Sequence, residues 1–175
     1  MTTLPFDFAQ EQLALAPLTL YKVGGPARLA LLPRSVDEAC AAYAWMAGQP
    51  GPKFVLGGGS NVLIDDHGFP GIVLVTTHLD RLEIVGDDRY RVEAGVPLDR
   101  LVREVMLEHN YEGVGSLTGI PGSVGGAIHM NAGTVNGATC EWLEEADVVT
   151  NEGQRSVRVT PDMYSYRGQT FCPRG

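Results

Sequence analysis

Apolar residues fall along this chain in short runs, and the period of the runs changes from one stretch to the next. Ala27–Leu32 and the "GIVLVTT" block from Gly71 to Thr77 are compact apolar segments of the kind that form buried strands. Phe54-Val55-Leu56 is a third, and Val62-Leu63-Ile64 is a fourth beyond a turn at Gly57–Asn61. Between the first strand and the third, "SVDEACAAYAWMAG" has helical spacing. Ser35 and Glu38 form a capping-box pattern, Gly48 stands where a C-terminal cap belongs, and Val36, Ala39, Cys40, Tyr43 and Ala47 share one face, which places Cys40 in the core. Further on, "RLEIVGDDRYRVEAG" alternates on both sides of Gly86-Asp87-Asp88 and predicts a β-hairpin. Pro97 opens a helix through Asn110, with Leu98, Leu101, Val102, Val105 and Met106 on one face. "ADVVTNEGQRSVRVT" predicts a second hairpin, and "PDMYSYRGQTFCPRG" is short and irregular. Residues 1–17 read as a poorly specified arm. Strand and helix do not alternate regularly, so the fold class is α+β rather than a doubly wound sheet. A break near residue 78 divides the rest into subdomains 18–78 and 79–175.

Composition changes this picture in one respect. Glycine supplies 22 of 175 residues, well above the usual ~7%, and it clusters. "GGGSN", Gly57 to Asn61, lies between two predicted strands. Successive N–H groups in such a turn can converge on an anion, with Ser60 and Asn61 adding side-chain donors. A glycine-rich hairpin turn with no ligand is the other reading. A Walker loop is excluded because its Lys-Ser or Lys-Thr must follow the last glycine, and here Gly59 is followed by Ser60 and then Asn61-Val62; the dinucleotide fingerprint fails because Val62 replaces its third glycine. The second cluster, "GIPGSVGGAIHMNAG" from Gly119 to Gly133, mixes glycine with Ile120, Val124 and Ile128. It predicts either a buried crossover or a loop whose apolar side chains meet a planar cofactor while bare N–H groups meet its polar part.

Charge and cysteine content narrow the partners. The formal net charge of −8 argues against a nucleic-acid surface but not against a phosphate held by backbone N–H groups. No apolar run approaches the ~20 residues of a membrane span. The N-terminus has no basic region ahead of an apolar core, so no secretory signal is expected there. Three scattered cysteines fit neither a disulfide framework nor zinc spacing, which points to the cytoplasm. Asp65, Asp66 and His67 read as a solvated loop, and no metal is expected.

Five stretches then fall into register: "LTLYKVGGPA", "VLGGGSNVLI", "VEAGVPLDRLV", "LTGIPGSVGGAIHMNAG" and "YSYRGQTF". In order and approximate spacing they resemble the UDP-N-acetylenolpyruvoylglucosamine reductase family, over residues 18 to 171. The resemblance implies a PCMH-type FAD-binding domain of two small α+β subdomains with FAD, bound non-covalently, between them. It puts Gly57, Gly58, Gly59, Ser60, Asn61, Val62 and Leu63 at the FAD pyrophosphate. It puts Thr118, Gly119, Ile120, Pro121, Gly122, Ser123, Val124, Gly125, Gly126, Ile128 and Asn131 along the rest of the cofactor. NADPH is implied as co-substrate and a UDP-sugar enolpyruvyl ether as substrate, with Tyr166 and Arg167 facing it and Arg167 stabilising enolate charge. Two departures stand out. The family's Tyr-Arg-Asp-Ser is here Tyr166-Arg167-Gly168-Gln169, and the family's C-terminal substrate domain, with the serine that protonates the product, has no counterpart in the sequence. A missing domain or a partner chain would have to supply that acid. The chain by itself is therefore expected to show little or no reductase turnover. A flavin-binding module without reductase activity is the alternative.

Overall fold

The structure, a computed structural model, describes residues 4–111 and 113–172. The first three residues of the arm, and residues 112 and 173–175 of the second predicted subdomain, lie outside the described residues. The chain forms helices and small mixed and antiparallel sheets, an α+β fold. It divides into two compact units, one running to Leu79 and including Val149–Gly153, the other comprising Asp80–Val148 and the residues from Gln154 on.

The first unit is built on a four-stranded sheet. Its strands are β1 (Ala9–Ala14), β2 (Pro26–Leu31), β3 (Lys53–Leu56) and β4 (Phe69–Val75), in the order β1-β2-β4-β3. β4 is parallel to both β2 and β3, while β1 runs antiparallel to β2. Gly71 to Val75 are all buried, which is why the sequence reads there as an unbroken apolar run and not as an alternation. Period two still sorts the side chains. Ile72 and Leu74 join Leu29, Leu31, Ala42 and Met46 on one face, and Val73 and Val75 join Leu15, Ala27, Ala30 and Leu56 on the other.

The helix α1 (Val36–Ala47) covers the first of these faces. Ser35 caps it as predicted: its Oγ accepts from the Glu38 N–H at 3.2 Å. The Glu38 carboxylate reaches one residue further back, accepting from the Arg34 N–H at 2.7 Å. Two details differ from the sequence reading. Gly48 is the C-cap but keeps right-handed geometry (φ −79°), and the buried stripe is Ala39, Ala42 and Met46, leaving Cys40 and Tyr43 half-buried and Ala47 exposed. The floor of Leu29, Leu31, Ile72 and Leu74 selects that stripe, which alternating small residues in the helix left ambiguous.

Two further corrections concern strands. Part of the predicted arm is β1, paired from Ala9 opposite Leu31 to Ala14 opposite Pro26. Half of its sequence, AQEQLA, is polar because an edge strand exposes one face; the partner strand and the buried Phe8 and Leu15 on either side fix it. Conversely, Val62-Leu63-Ile64 is not a strand. Among the described residues no strand lies beside it to complete a ladder. Instead Val62 and Ile64 pack on the core, Leu63 is 79% exposed, and the Gly25 N–H donates to the Asp65 carbonyl at 2.8 Å.

The second unit begins with the predicted hairpin, β5 (Leu82–Gly86) and β6 (Arg89–Val92), with Asp88 left-handed in the turn (φ 56°). The predicted 97–110 helix is not uniform: α2 (Leu98–Leu101) widens into a π-helical stretch at Val102–Leu107. The wider turns keep Val102, Val105 and Met106 all buried. α3 (Val124–His129) follows, then the small ladders β7 (Gly133–Thr134) with β8 (Gly137–Ala138), β9 (Glu145–Thr150) with β10 (Gly153–Arg158), whose Val149–Gly153 end is counted with the first unit, and β11 (Tyr164–Ser165) with β12 (Gly168–Gln169). Among the described residues, no helix is long and apolar enough to cross a membrane.

The cap on α1 gives the first test. Ser35→Ala should lower stability by ~1 kcal/mol, seen as a lower urea midpoint with an unchanged slope.

Candidate functional site

β3 ends at the buried Leu56, whose carbonyl accepts from both the N–H (2.9 Å) and the Oγ1 (3.3 Å) of Thr76. The Gly57–Asn61 turn therefore leaves from a fixed point. Gly59 is left-handed (φ +64°), and a Cβ there would lie 2.1 Å from the Leu18 carbonyl oxygen, so no other residue fits without moving the backbone. Its own carbonyl accepts from the Leu20 N–H at 2.9 Å. The segment it touches is locked in turn by Thr19, 2% exposed, whose Oγ1 donates to the carbonyls of Ala16 (3.1 Å) and Val23 (3.3 Å).

This arrangement leaves the N–H groups of Gly59, Ser60 and Asn61 with no hydrogen-bond partner among the described residues. Three consecutive backbone donors without partners, in a turn whose shape is fixed from outside, are what an anion cradle requires. Gly57 and Ser60 are half-buried, Gly58 and Asn61 are exposed, Val62 faces the core, and Leu63 stands in solvent beside them. Leu20 and Tyr21 are also large exposed side chains, 51% and 61%. The sequence reading missed Thr19 and Leu20 as supports of the turn; the signal available was only their place ahead of Gly24-Gly25.

The stretch from Thr118 to Asn131 folds differently from the prediction. Ser123 caps α3, its Oγ accepting from the Gly126 N–H at 3.4 Å. The Val124 N–H donates to the Val96 carbonyl and the Gly125 N–H to the Ala94 carbonyl, each at 2.8 Å, while the Gly122 carbonyl accepts from the Leu98 N–H at 2.9 Å. A Cβ on Gly125 would fall 2.7 Å from the Cβ of Ala94. Glycine there permits backbone to hydrogen-bond to backbone across two segments of the chain. The expectation that N–H groups of Val124 and Gly125 are bare is thus corrected: they are used inside the unit. So is the expectation about apolar teeth. Val124 is 4% exposed and belongs to the core of Val96, Leu98, Val102 and Leu117, and Ile120 and Ile128 pack on that core from its edge. What the stretch presents to solvent is Thr118, Gly119, Pro121, Gly126 and His129. Gly119 is left-handed (φ +79°) with nothing within 4 Å of its Cβ position.

Asn131 is corrected more sharply. It is 4% exposed, and its amide is engaged at both ends: Nδ2 donates to the Ser165 carbonyl (2.8 Å) and Oδ1 accepts from the Cys140 N–H (3.0 Å). Its side chain holds protein to protein.

Tyr166 and Arg167 form the two-residue turn between β11 and β12, with Ser165 opposite Gly168. Tyr166 is 90% exposed. Arg167 is left-handed (φ 55°), its Nη2 donates to the Gly133 carbonyl at 3.1 Å, and its guanidinium carbon lies 5.5 Å from the Tyr166 ring centre. The Gly168-Gln169 departure is accommodated by burial of both residues. The Gln169 Oε1 accepts from the Cys172 N–H at 2.6 Å, and Nε2 donates to the Cys172 carbonyl at 3.3 Å.

Cysteine chemistry is absent from this neighbourhood. Burial pushes the Cys140 thiol up to about 11, with Cys172 adding to the shift, and burial also raises Cys172 against the lowering influence of Arg155. Both are protonated at neutral pH and neither is an activated nucleophile. Among the described residues, no group of three His, Cys, Asp or Glu side chains could hold a metal ion. A cavity of ≈ 500 Å³ in the second unit, lined in part by Arg89, Glu144, Arg158 and Tyr164, contains none of the predicted site residues, and its Arg89 is paired with Glu144 at 3.1 Å.

Residues 27–157 match the model of the FAD binding domain family. The chain belongs to that family. Within it, the chain is 36% identical over 167 residues to UDP-N-acetylenolpyruvoylglucosamine reductase 1 of Corynebacterium glutamicum, a match covering 95% of this chain and 49% of that protein. It is 40% identical over 154 residues to the UDP-N-acetylenolpyruvoylglucosamine reductase of a Synechococcus species, covering 87% of this chain and 51% of the relative. The crystal structure of UDP-N-acetylenolpyruvylglucosamine reductase from Thermus caldophilus superposes with a TM-score of 0.75 at 31% identity, covering 94% of this chain and 58% of that one. This FAD binding domain spans about half the length of the curated relatives it matches.

Neighbouring glycines of α3 separate close packing from mere flexibility. Gly125→Ala should destabilise the protein by ~1–3 kcal/mol through the contact with Ala94. Gly126→Ala, whose Cβ meets nothing nearer than the Ser123 Oγ at 3.5 Å, should be neutral or stabilise by up to ~1 kcal/mol through helix propensity. Thermal unfolding of the two variants side by side reads the difference.

Proposed function

We propose that this chain is the FAD-binding part of a UDP-N-acetylenolpyruvoylglucosamine reductase, a cytoplasmic enzyme, and that the Gly57–Asn61 turn holds the FAD pyrophosphate non-covalently. One observation carries the proposal: in a chain of the FAD binding domain family, the N–H groups of Gly59, Ser60 and Asn61 have no partner within the described protein. Backbone N–H groups bind a pyrophosphate with no lysine or arginine, which suits a chain of net charge −8. Gly59 keeps the turn in the one shape that leaves those donors free. Gly119 and Pro121, exposed in the second glycine segment, are proposed to meet the cofactor.

Bound FAD would carry a hydride from NADPH to the enolpyruvyl group of a UDP-sugar, giving UDP-N-acetylmuramate. The chain's own contribution to that step is Arg167. Hydride addition builds negative charge on the enolpyruvyl carboxylate side, and a guanidinium fixed at that position stabilises the charge as it develops. Tyr166, exposed next to it, lies against the substrate. The acid that protonates the product is supplied by a further domain or by a partner chain, and this chain supplies cofactor binding and the arginine.

The purified chain should show flavin absorbance, and acid precipitation should release all of the flavin into the supernatant. Gly59→Ala should weaken FAD about hundredfold, the equivalent of ~3 kcal/mol of strain and displaced backbone. Gly86→Ala, where the nearest atom to the new Cβ is 3.9 Å away, is the matched control and should bind FAD normally. A chain that binds no flavin under any reconstitution condition would sink the proposal. The chain alone should oxidise no NADPH in response to the enolpyruvyl substrate.

A further inference from the structure

Asn131 occupies a position where glycine would satisfy the backbone. It follows the C-cap Met130 of α3 in left-handed geometry (φ 41°). Its N–H donates to the Ile128 carbonyl at 3.0 Å, and the Ala132 N–H donates back to the Ala127 carbonyl at 2.7 Å. Those two bonds are the Schellman termination of a helix, in which glycine is the commonest residue at the left-handed position and asparagine the next. The termination accounts for the backbone and leaves the side chain unexplained. That side chain is buried and reaches in two directions, to the Cys140 N–H at 3.0 Å and to the Ser165 carbonyl at 2.8 Å. Ser165 is the residue immediately before the Tyr166–Arg167 turn. Two residues beyond Asn131, the Gly133 carbonyl accepts from the Arg167 guanidinium. The end of α3 thus grips the turn at its entrance through an amide and at its arginine through a carbonyl.

We infer that Asn131 is a positioning residue that fixes the backbone from which Arg167 is presented. Its carboxamide is needed because it donates to Ser165 and accepts from Cys140 at once, and no other side chain of that size does both in left-handed geometry. The inference rests on the proposed reading in which Arg167 faces the substrate, but the grip itself is a property of this chain and can be measured without substrate.

Two substitutions divide the residue's tasks. Asn131→Gly keeps the left-handed helix end and removes both side-chain bonds. Asn131→Asp keeps the acceptor for Cys140 and removes the donor to Ser165. In the FAD-loaded chain, amide exchange at Arg167 and Gly168 should rise about tenfold or more in both variants, and the Arg167 Nε–H resonance should move to its free-arginine position. Amides of the first unit's sheet and the FAD affinity should stay within about twofold of the parent chain. If Asn131→Gly leaves the turn's exchange and the Arg167 resonance unchanged, Asn131 only ends the helix and the inference is wrong. If Asn131→Asp behaves like the parent while Asn131→Gly does not, the Cys140 bond alone matters and the grip on Ser165 is overturned. Failure of the parent chain to bind FAD would instead count against the proposed function and would leave the exchange comparison intact in the flavin-free chain.

Discussion

Backbone lying directly on backbone, with no room for a Cβ, is the constraint on which both glycine segments depend. At Gly59 the space a side chain would take is filled by the Leu18 carbonyl; at Gly125 it is filled by Ala94. The two contacts have opposite consequences for the backbone donors. In the first unit the bond that pins the turn uses the Gly59 carbonyl, so the N–H side of the turn stays open. In the second unit the bonds that pin α3 use the N–H groups of Val124 and Gly125, so the donors are consumed in holding the fold. Glycine content alone does not distinguish a ligand cradle from a packing device. The direction of the hydrogen bonds does.

A cradle of this kind works only if its shape is set before the ligand arrives, because ordering a loop on binding would subtract from affinity. The sheet provides that order. β4 is buried on both faces, β3 pairs with it up to Leu56, and Thr76 doubly anchors the Leu56 carbonyl where the turn begins. On the turn's other side the Ala16–Val23 loop is closed on itself by Thr19. Neither support uses the unpartnered N–H groups of Gly59, Ser60 and Asn61, and both would transmit a packing defect to them.

Some of this was legible in the sequence because the signal is local. Ser35 with Glu38 announces a helix start, Gly86-Asp87-Asp88 announces a tight turn, and the unbroken run Ile72–Val75 announces a strand covered on both faces. Other elements depend on a partner that sequence does not name. β1 is too polar to be recognised until β2 lies beside it, and Val62–Ile64 is apolar enough for a strand but has no neighbour to pair with. α3 is a helix with two glycines in its first turn, against propensity, because Val96 and Ala94 accept its early N–H groups and Ser123 caps it. The family match supports the FAD reading, while the division of the two glycine stretches into backbone donors left open and donors used to hold the fold came from hydrogen-bond direction and burial.

Arg167 shows the same division within one residue. The second central position of its turn has positive φ, a place that favours glycine or asparagine, and an arginine there costs ~1–2 kcal/mol. A protein optimised only for the β11–β12 turn would have glycine at that position; here the glycine comes one residue later, as Gly168, inside the ladder. The strain is tolerated because the surroundings over-determine the turn: Ser165 is held by the Asn131 amide, the guanidinium is held by Gly133, and Gln169 closes onto Cys172. None of those contacts requires a positive charge at residue 167, since Gly133 offers only a neutral carbonyl. The charge is left without a carboxylate partner among the described ion pairs. Lys22 repeats the pattern in the first unit, left-handed (φ 57°) and donating to the neutral Pro17 carbonyl, so positive φ in a cation marks a turn braced from outside and not by itself a binding group.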